Sequence, residues 1–226
     1  MAALTVKPNL TRCGLPIQPL CKLMVLPLDS RWADAIWRSP YRLRFELSTG
    51  GSPISMFISA FGRARRLARA ALPLDRPLAI VADYPSAYWV ITPDQRISPD
   101  TSVFELLKEM GVPTDAAEAS WKSPFYPANE DDEDRELCEH RAVRLGWDEA
   151  DILLWNNIAQ NIGVEPRAPV LSKLADPEQG IVVNAYDDRG MDVIALSPAP
   201  IEHLYRRFDT WLLDYDRPRM AEVFGE

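Results

Sequence analysis

The sequence predicts an α+β fold: a largely antiparallel, mixed sheet packed with several helices in a single domain. Three patterns carry that expectation. Residues 41–47 (Tyr-Arg-Leu-Arg-Phe-Glu-Leu) alternate apolar and charged side chains, the two-residue period of a half-buried strand. Residues 181–186 and 192–196 read as short strands joined through Asp187, Asp188, Arg189 and Gly190, turn chemistry that makes them an antiparallel hairpin. Ile201, Leu204, Tyr205, Phe208, Trp211, Leu212 and Tyr215 follow the 3.6-residue period of one long helix. Strands and helices are mixed without strict strand–helix–strand alternation, which favours α+β over a parallel α/β sheet.

The remaining elements follow in chain order. Residues 1–28 are punctuated by proline and predict an N-terminal extension, lying over the surface or frayed, ahead of a single domain at 29–226. Asp29 and Ser30 offer a cap for a short helix over 31–38, with Trp32, Ile36 and Trp37 apolar. Ser52 as N-cap and Pro53 at the first helical position start a helix reaching about residue 72. Its buried stripe is Phe57, Ala60, Phe61, Ala64, Leu67, Ala68 and Ala71. Residues 78–82 and 88–91 read as strands. Asp100, Thr101 and Ser102 offer a cap for a helix over 103–110, which Gly111 ends. Residues 112–129 are rich in proline and aromatics and predict an ordered loop, followed by an acidic run. A strand over 140–145, a helix over 148–162 and a strand over 170–174 complete the middle. Pro218 ends the last helix or restarts a short tail through Val223 and Phe224.

Composition narrows function. The chain has 226 residues, 47% hydrophobic and 26% charged, which is globular rather than disordered. Its net charge of −8 and pI of about 4.9 repel phosphate backbones and disfavour nucleic acid. The same charge favours solubility and docking to a basic partner. Cys13, Cys21 and Cys138 are odd in number and form no C-x-x-C, so no disulfide framework or zinc finger is encoded. No signal peptide or membrane-spanning run is legible, and a cytoplasmic location is the expectation.

Motifs for chemistry are scarce. His140 and His203 share no metal-ligand spacing, and Glu130–Asp134 lacks the alternation of a calcium loop. No G-x-S-x-G and no complete phosphate-binding loop is present, and no cofactor is implied. The hairpin tip concentrates ionisable groups: Asp187, Asp188, Arg189 and Asp192, with Asp214, Asp216 and Arg217 further on. A small hydrolase-like enzyme would pair two of these carboxylates as acid and base with an arginine on an anionic substrate. A structural turn explains them as well, with Asp187 and Asp188 accepting backbone N–H groups, Gly190 supplying a positive φ and Arg189 clamping Asp214. Arg63, Arg65, Arg66 and Arg69 form a basic cluster, set for internal pairing or for a partner.

Leu43-Arg44-Phe45-Glu46-Leu47, Arg63-Ala64, the run from Tyr186 to Ala195, Leu204-Tyr205, the run from Trp211 to Arg217, and Phe224 together resemble a bacterial family of domains of unknown function. The resemblance spans about residues 32–224 and transfers no catalytic residue. By analogy, small acidic proteins of this kind resemble immunity proteins of bacterial toxins. The expectation is therefore a non-catalytic cytosolic binding protein that blocks a cognate toxin or effector. Its expected interface is Glu130, Asp131, Asp132, Glu133 and Asp134, with Trp121, Phe125 and Tyr126 beside them.

Overall fold

The computed structural model describes residues 29–83, 102–124 and 137–225. The expected strand at 88–91 and the N-terminal extension lie outside the described residues, as do Phe125, Tyr126 and Glu130–Asp134. Seven described strands form one sheet in the order β1-β7-β6-β5-β2-β4-β3. They are β1 (Arg42–Glu46), β2 (Leu78–Asp83), β3 (Ala117–Pro124), β4 (Leu137–Arg144), β5 (Val170–Asp176), β6 (Ile181–Ala185) and β7 (Gly190–Ala195). Every hydrogen-bonded pair among them is antiparallel. The helices are α1 (Ser30–Trp37), α2 (Pro53–Ala71), α3 (Val103–Glu109), α4 (Trp147–Ile162), α5 (Ala199–Arg207) and α6 (Arg217–Phe224). β4 and β5 both run antiparallel to β2 between them, so α4 crosses over to join two strands that point the same way.

Local chemistry places the helices. The Asp29 carboxylate accepts from the N–H groups of Arg31 and Trp32 at 2.9 and 3.3 Å and opens α1. Ser52 accepts from the Ser55 N–H at 3.2 Å and opens α2. Five of the seven expected stripe residues of α2 are under 2% exposed and Phe57 is 5% exposed, whereas Phe61 is only half-buried.

The main core lies between one sheet face and α2, α3, α4, α5 and α6. Leu43 and Phe45 of β1, Val183 of β6 and Met191 and Val193 of β7 all point into it. Two asparagines of α4 enter the same layer. Asn157 donates to the carbonyls of Ser172 (2.7 Å) and Ala185 (2.9 Å) and accepts from the Ser172 N–H (3.1 Å). Asn156 bonds the Val170 carbonyl and the Ala168 N–H. Buried amides are stable only when satisfied, so these bonds set the position of α4 over β5 and β6. The opposite face carries a smaller cluster, where Trp32 and Ile36 of α1 cover Leu78, Ile80, Ala142, Ala175, Val182 and Ile194.

Two expectations are corrected. Part of the proline-rich loop at 112–129 is strand β3, paired with β4 from Ala117 to Pro124. Ala-Glu-Ala-Ser-Trp-Lys-Ser-Pro has weak strand propensity, and the pairing surface of β4 decides its conformation. The long C-terminal helix stops after α5. Its continuation forms single 3-10 turns at Asp209–Trp211 and Asp214–Asp216, around a bridge from Leu212 to Phe45. The Leu213 N–H bonds the Arg44 carbonyl at 2.9 Å. β1 is the sheet edge, and its open backbone groups draw the chain out of the helix. Pro218 then lies in the first turn of α6.

Candidate functional site

Three places in the fold concentrate side chains that could act. The first is the β6–β7 hairpin. Asp187 is buried; its Oδ1 accepts from the N–H groups of Arg189 (2.8 Å) and Gly190 (3.2 Å). Its Oδ2 accepts from Arg189 Nε at 2.8 Å and from Asn161 Nδ2 at 3.2 Å. Both oxygens are therefore engaged in closing the turn. Arg189 is taken up by Asp187, and the expected clamp onto Asp214 does not form; Asp214 pairs instead with Arg217 at 3.2 Å. Gly190 does not adopt a positive φ. A side chain is excluded there because a Cβ would overlap the hydroxyl and Cζ of Tyr186, with Cε2 at 3.0 Å. Asp188 is buried, and desolvation, followed by the nearby Asp187 charge, pushes its carboxyl above the usual range.

Asp192 stands opposite Arg44 in the β1–β7 register. Arg44 Nε bonds Asp192 at 3.0 Å and its Nη1 bonds Asp216 at 2.9 Å, with Arg42 3.8 Å from Asp192. Burial pushes the Asp192 carboxyl up, opposed by Arg44 and Arg42. One guanidinium thus joins the hairpin to the C-terminal segment across the sheet edge. The Arg44 side chain also lies over the Tyr186 ring at 5.9 Å.

The second place is the end of β3 and β4. Trp121, the described member of the expected interface, is half-buried and stacks on His140 with ring centroids 5.2 Å apart and planes within 3°. Its Nε1 is buried with no acceptor among the described residues. Ser123 Oγ lies 2.8 Å from His140 Nε2. Burial, then the charge of Lys173, lowers the His140 pKa to about 4, so the imidazole is neutral at pH 7. Lys173 is itself pushed below its usual range by burial and lies 4.7 Å over the Trp37 ring. The sequence hid this cluster because Ser123 falls in the segment expected to be loop. Cys138 is buried in β4.

The third place is the outer face of α2 and α4. An apolar cleft of about 260 Å³ is lined by Phe61, Met110, Ile152, Trp155 and Pro166, with Asp148 and Asp151 on its wall. Phe57 and Trp155 meet edge-on at 4.4 Å, and Phe61 packs on Trp155 at 5.8 Å. Ile54 and Ile58, on the same side of α2, are 69% and 65% exposed. The arginine cluster divides here: Arg65 and Arg69 each pair with Asp151 at 2.8 Å, while Arg63 and Arg66 turn to Trp211.

Among the described residues no three of His, Cys, Asp and Glu converge as metal ligands, and no helix is long and apolar enough to cross a membrane. Residues 29–216 match a family model described as a domain of unknown function (DUF3885). No curated protein and no solved structure matches the chain.

Proposed function

We propose, from the premise that this chain belongs to the DUF3885 family of domains of unknown function, that it works by binding another protein: a cytosolic, non-catalytic immunity protein that neutralises a bacterial toxin by direct contact. The observation that carries this reading is the exposed apolar face of α2. Ile54 and Ile58 stand in solvent beside an aromatic-walled cleft, whereas large aliphatic side chains on a helix otherwise turn inward. An aromatic pocket flanked by apolar residues and an Arg–Asp network at its rim has the composition of a binding hot spot. The acidic run Glu130–Asp134 adds a charge that speeds encounter with a basic partner.

The test is affinity capture of the tagged protein from native cells, alongside an Ile54→Asp/Ile58→Asp variant. A stoichiometric toxin-like partner should be held by the wild type and lost, by roughly a hundredfold in affinity, from the variant. Equal retention by both proteins removes this face from the interface, and capture of nothing by the wild type counts against the binding role itself.

The competing reading, a small hydrolase-like enzyme on the 187–192 hairpin, draws on the grouping of Asp192, Arg44 and Asp216. The hydrogen bonds already accepted by both Asp187 oxygens favour a structural role there.

A further inference from the structure

The flank of α2 away from the apolar cleft carries a different chemistry. At 100° per residue, Arg63 lies opposite Ile54 on the helix and Arg66 about 120° round from it, both turned away from Phe61 of the cleft. Both turn onto one ring: each guanidinium carbon is 5.1 Å from the Trp211 centroid, so the two cations are no more than about 10 Å apart. Arg63 is fixed by a 2.9 Å bond from Nη1 to the Glu46 carbonyl. Trp211 stacks on Phe208 at 5.1 Å and 28°, and Arg207 of α5 lies 5.2 Å over the Phe208 ring. Three guanidiniums therefore surround one aromatic pair where α2 faces α5.

Neighbouring cations are paired. Arg65 and Arg69 hold Asp151, and Arg217 holds Asp209 and Asp214. Among the described residues no carboxylate lies within ion-pair distance of Arg63, Arg66 or Arg207. This holds in a chain with 33 acidic and 25 basic residues, where a surface arginine has carboxylates in excess. Like charges kept close without a counter-charge repel one another, and an incoming anion relieves that repulsion. Guanidiniums held over rings are also ordered in advance, so less side-chain freedom is lost when they bind.

We propose that the Arg63–Arg66–Arg207 surface around Trp211 is a docking site for an acidic segment of a partner protein. The carboxylates pair with the exposed forks of Arg66 and Arg207, and apolar parts of the segment lie against Trp211. Charge complementarity selects the occupant. A net charge of −8 opposes a long polyanion such as nucleic acid, whereas a short acidic segment feels the local cations. The proposal rests on the protein-binding reading in assigning the carboxylates to a protein.

The experiment measures fluorescence anisotropy of a labelled octaglutamate peptide against the full chain at low salt. Arg66→Glu/Arg207→Glu should weaken binding by roughly tenfold or more while the melting temperature stays within a few degrees, since both side chains are exposed. Arg66→Lys/Arg207→Lys, which keeps charge and loses the fork, should fall between the two. Octaglutamate binding is read on the purified chain with no cellular partner present, so failure here is distinct from failure of the capture experiment. No binding by the wild type, equal binding by the charge-reversed protein, or tighter binding of an eight-residue oligothymidylate would overturn the proposal.

Discussion

Replacing Gly190 by alanine tests the reasoning about the hairpin most directly. The backbone at 190 is in a conformation open to any residue, so the cost is steric and not conformational. The new methyl would overlap the Tyr186 hydroxyl and Cζ, and the ring cannot yield freely. Tyr186 is tied by its N–H to the Gly190 carbonyl at 3.2 Å and lies beneath Arg44 at 5.9 Å. Overpacking of this kind costs about 1–3 kcal/mol, and displacing the ring forfeits a cation–π contact of about 0.5–1 kcal/mol. Together they give about 3 kcal/mol. For a chain of this length that lowers Tm by roughly 6–12 °C. Thermal unfolding followed by circular dichroism measures it. The decisive comparison is the same change in a Tyr186→Ala background, where the obstacle is gone and the cost should fall below about 1 kcal/mol. A Gly190→Ala protein that melts with the wild type refutes the argument. So does a full additive loss in the double variant, which would assign the glycine to backbone freedom after all.

Other outcomes follow from the same geometry. Asn157→Ala strips partners from the Ser172 N–H and from the Ser172 and Ala185 carbonyls, and should cost about 3 kcal/mol, read as a shift in the denaturant midpoint with unchanged slope. His140 has a folded pKa of about 4 against an ordinary 6.5. Across that interval the unfolded chain takes up a proton that the folded protein refuses, so wild-type stability falls on acidification from about 6.5 to 4. His140→Gln lacks that contribution, and wild-type and variant stability curves that run parallel across this range would contradict the burial argument. The Asp188 carboxyl is raised, so its ionised form disfavours the folded state at neutral pH and that penalty disappears as pH drops below the ordinary 3.8. Asp188→Asn should therefore be at least as stable as wild type at pH 7, with any gain fading in acid. A fall of several degrees would show that the charged carboxylate holds the turn, and loss of an enzymatic activity without such a fall would favour the hydrolase reading.

Local patterns were enough to find most of the fold. The alternation at 41–47 is β1, the Ser52–Pro53 start is the start of α2, and the turn chemistry at 187–190 is the β6–β7 hairpin. Each depends on a period or a cap within a few residues, which a chain writes into itself. Asp187 also acts as the local rule requires, because an aspartate bonding the N–H groups two and three residues on needs no distant partner.

What escaped that reading depends on partners far along the chain. Residues 201–215 have a helical period throughout, yet Leu212 leaves the helix to bridge Phe45, because only the assembled sheet presents the open edge of β1. Segment 117–124 has weak strand propensity and becomes a strand because β4 offers hydrogen bonds. Ser123 meets His140, Arg44 joins Asp192 to Asp216, and Arg66 meets Trp211 across separations that no local window spans. The chain writes its elements and turns in short-range sterics and hydrogen bonding. Which charged and aromatic groups end as neighbours, and so where this protein can bind, is settled by the packing of elements distant in sequence.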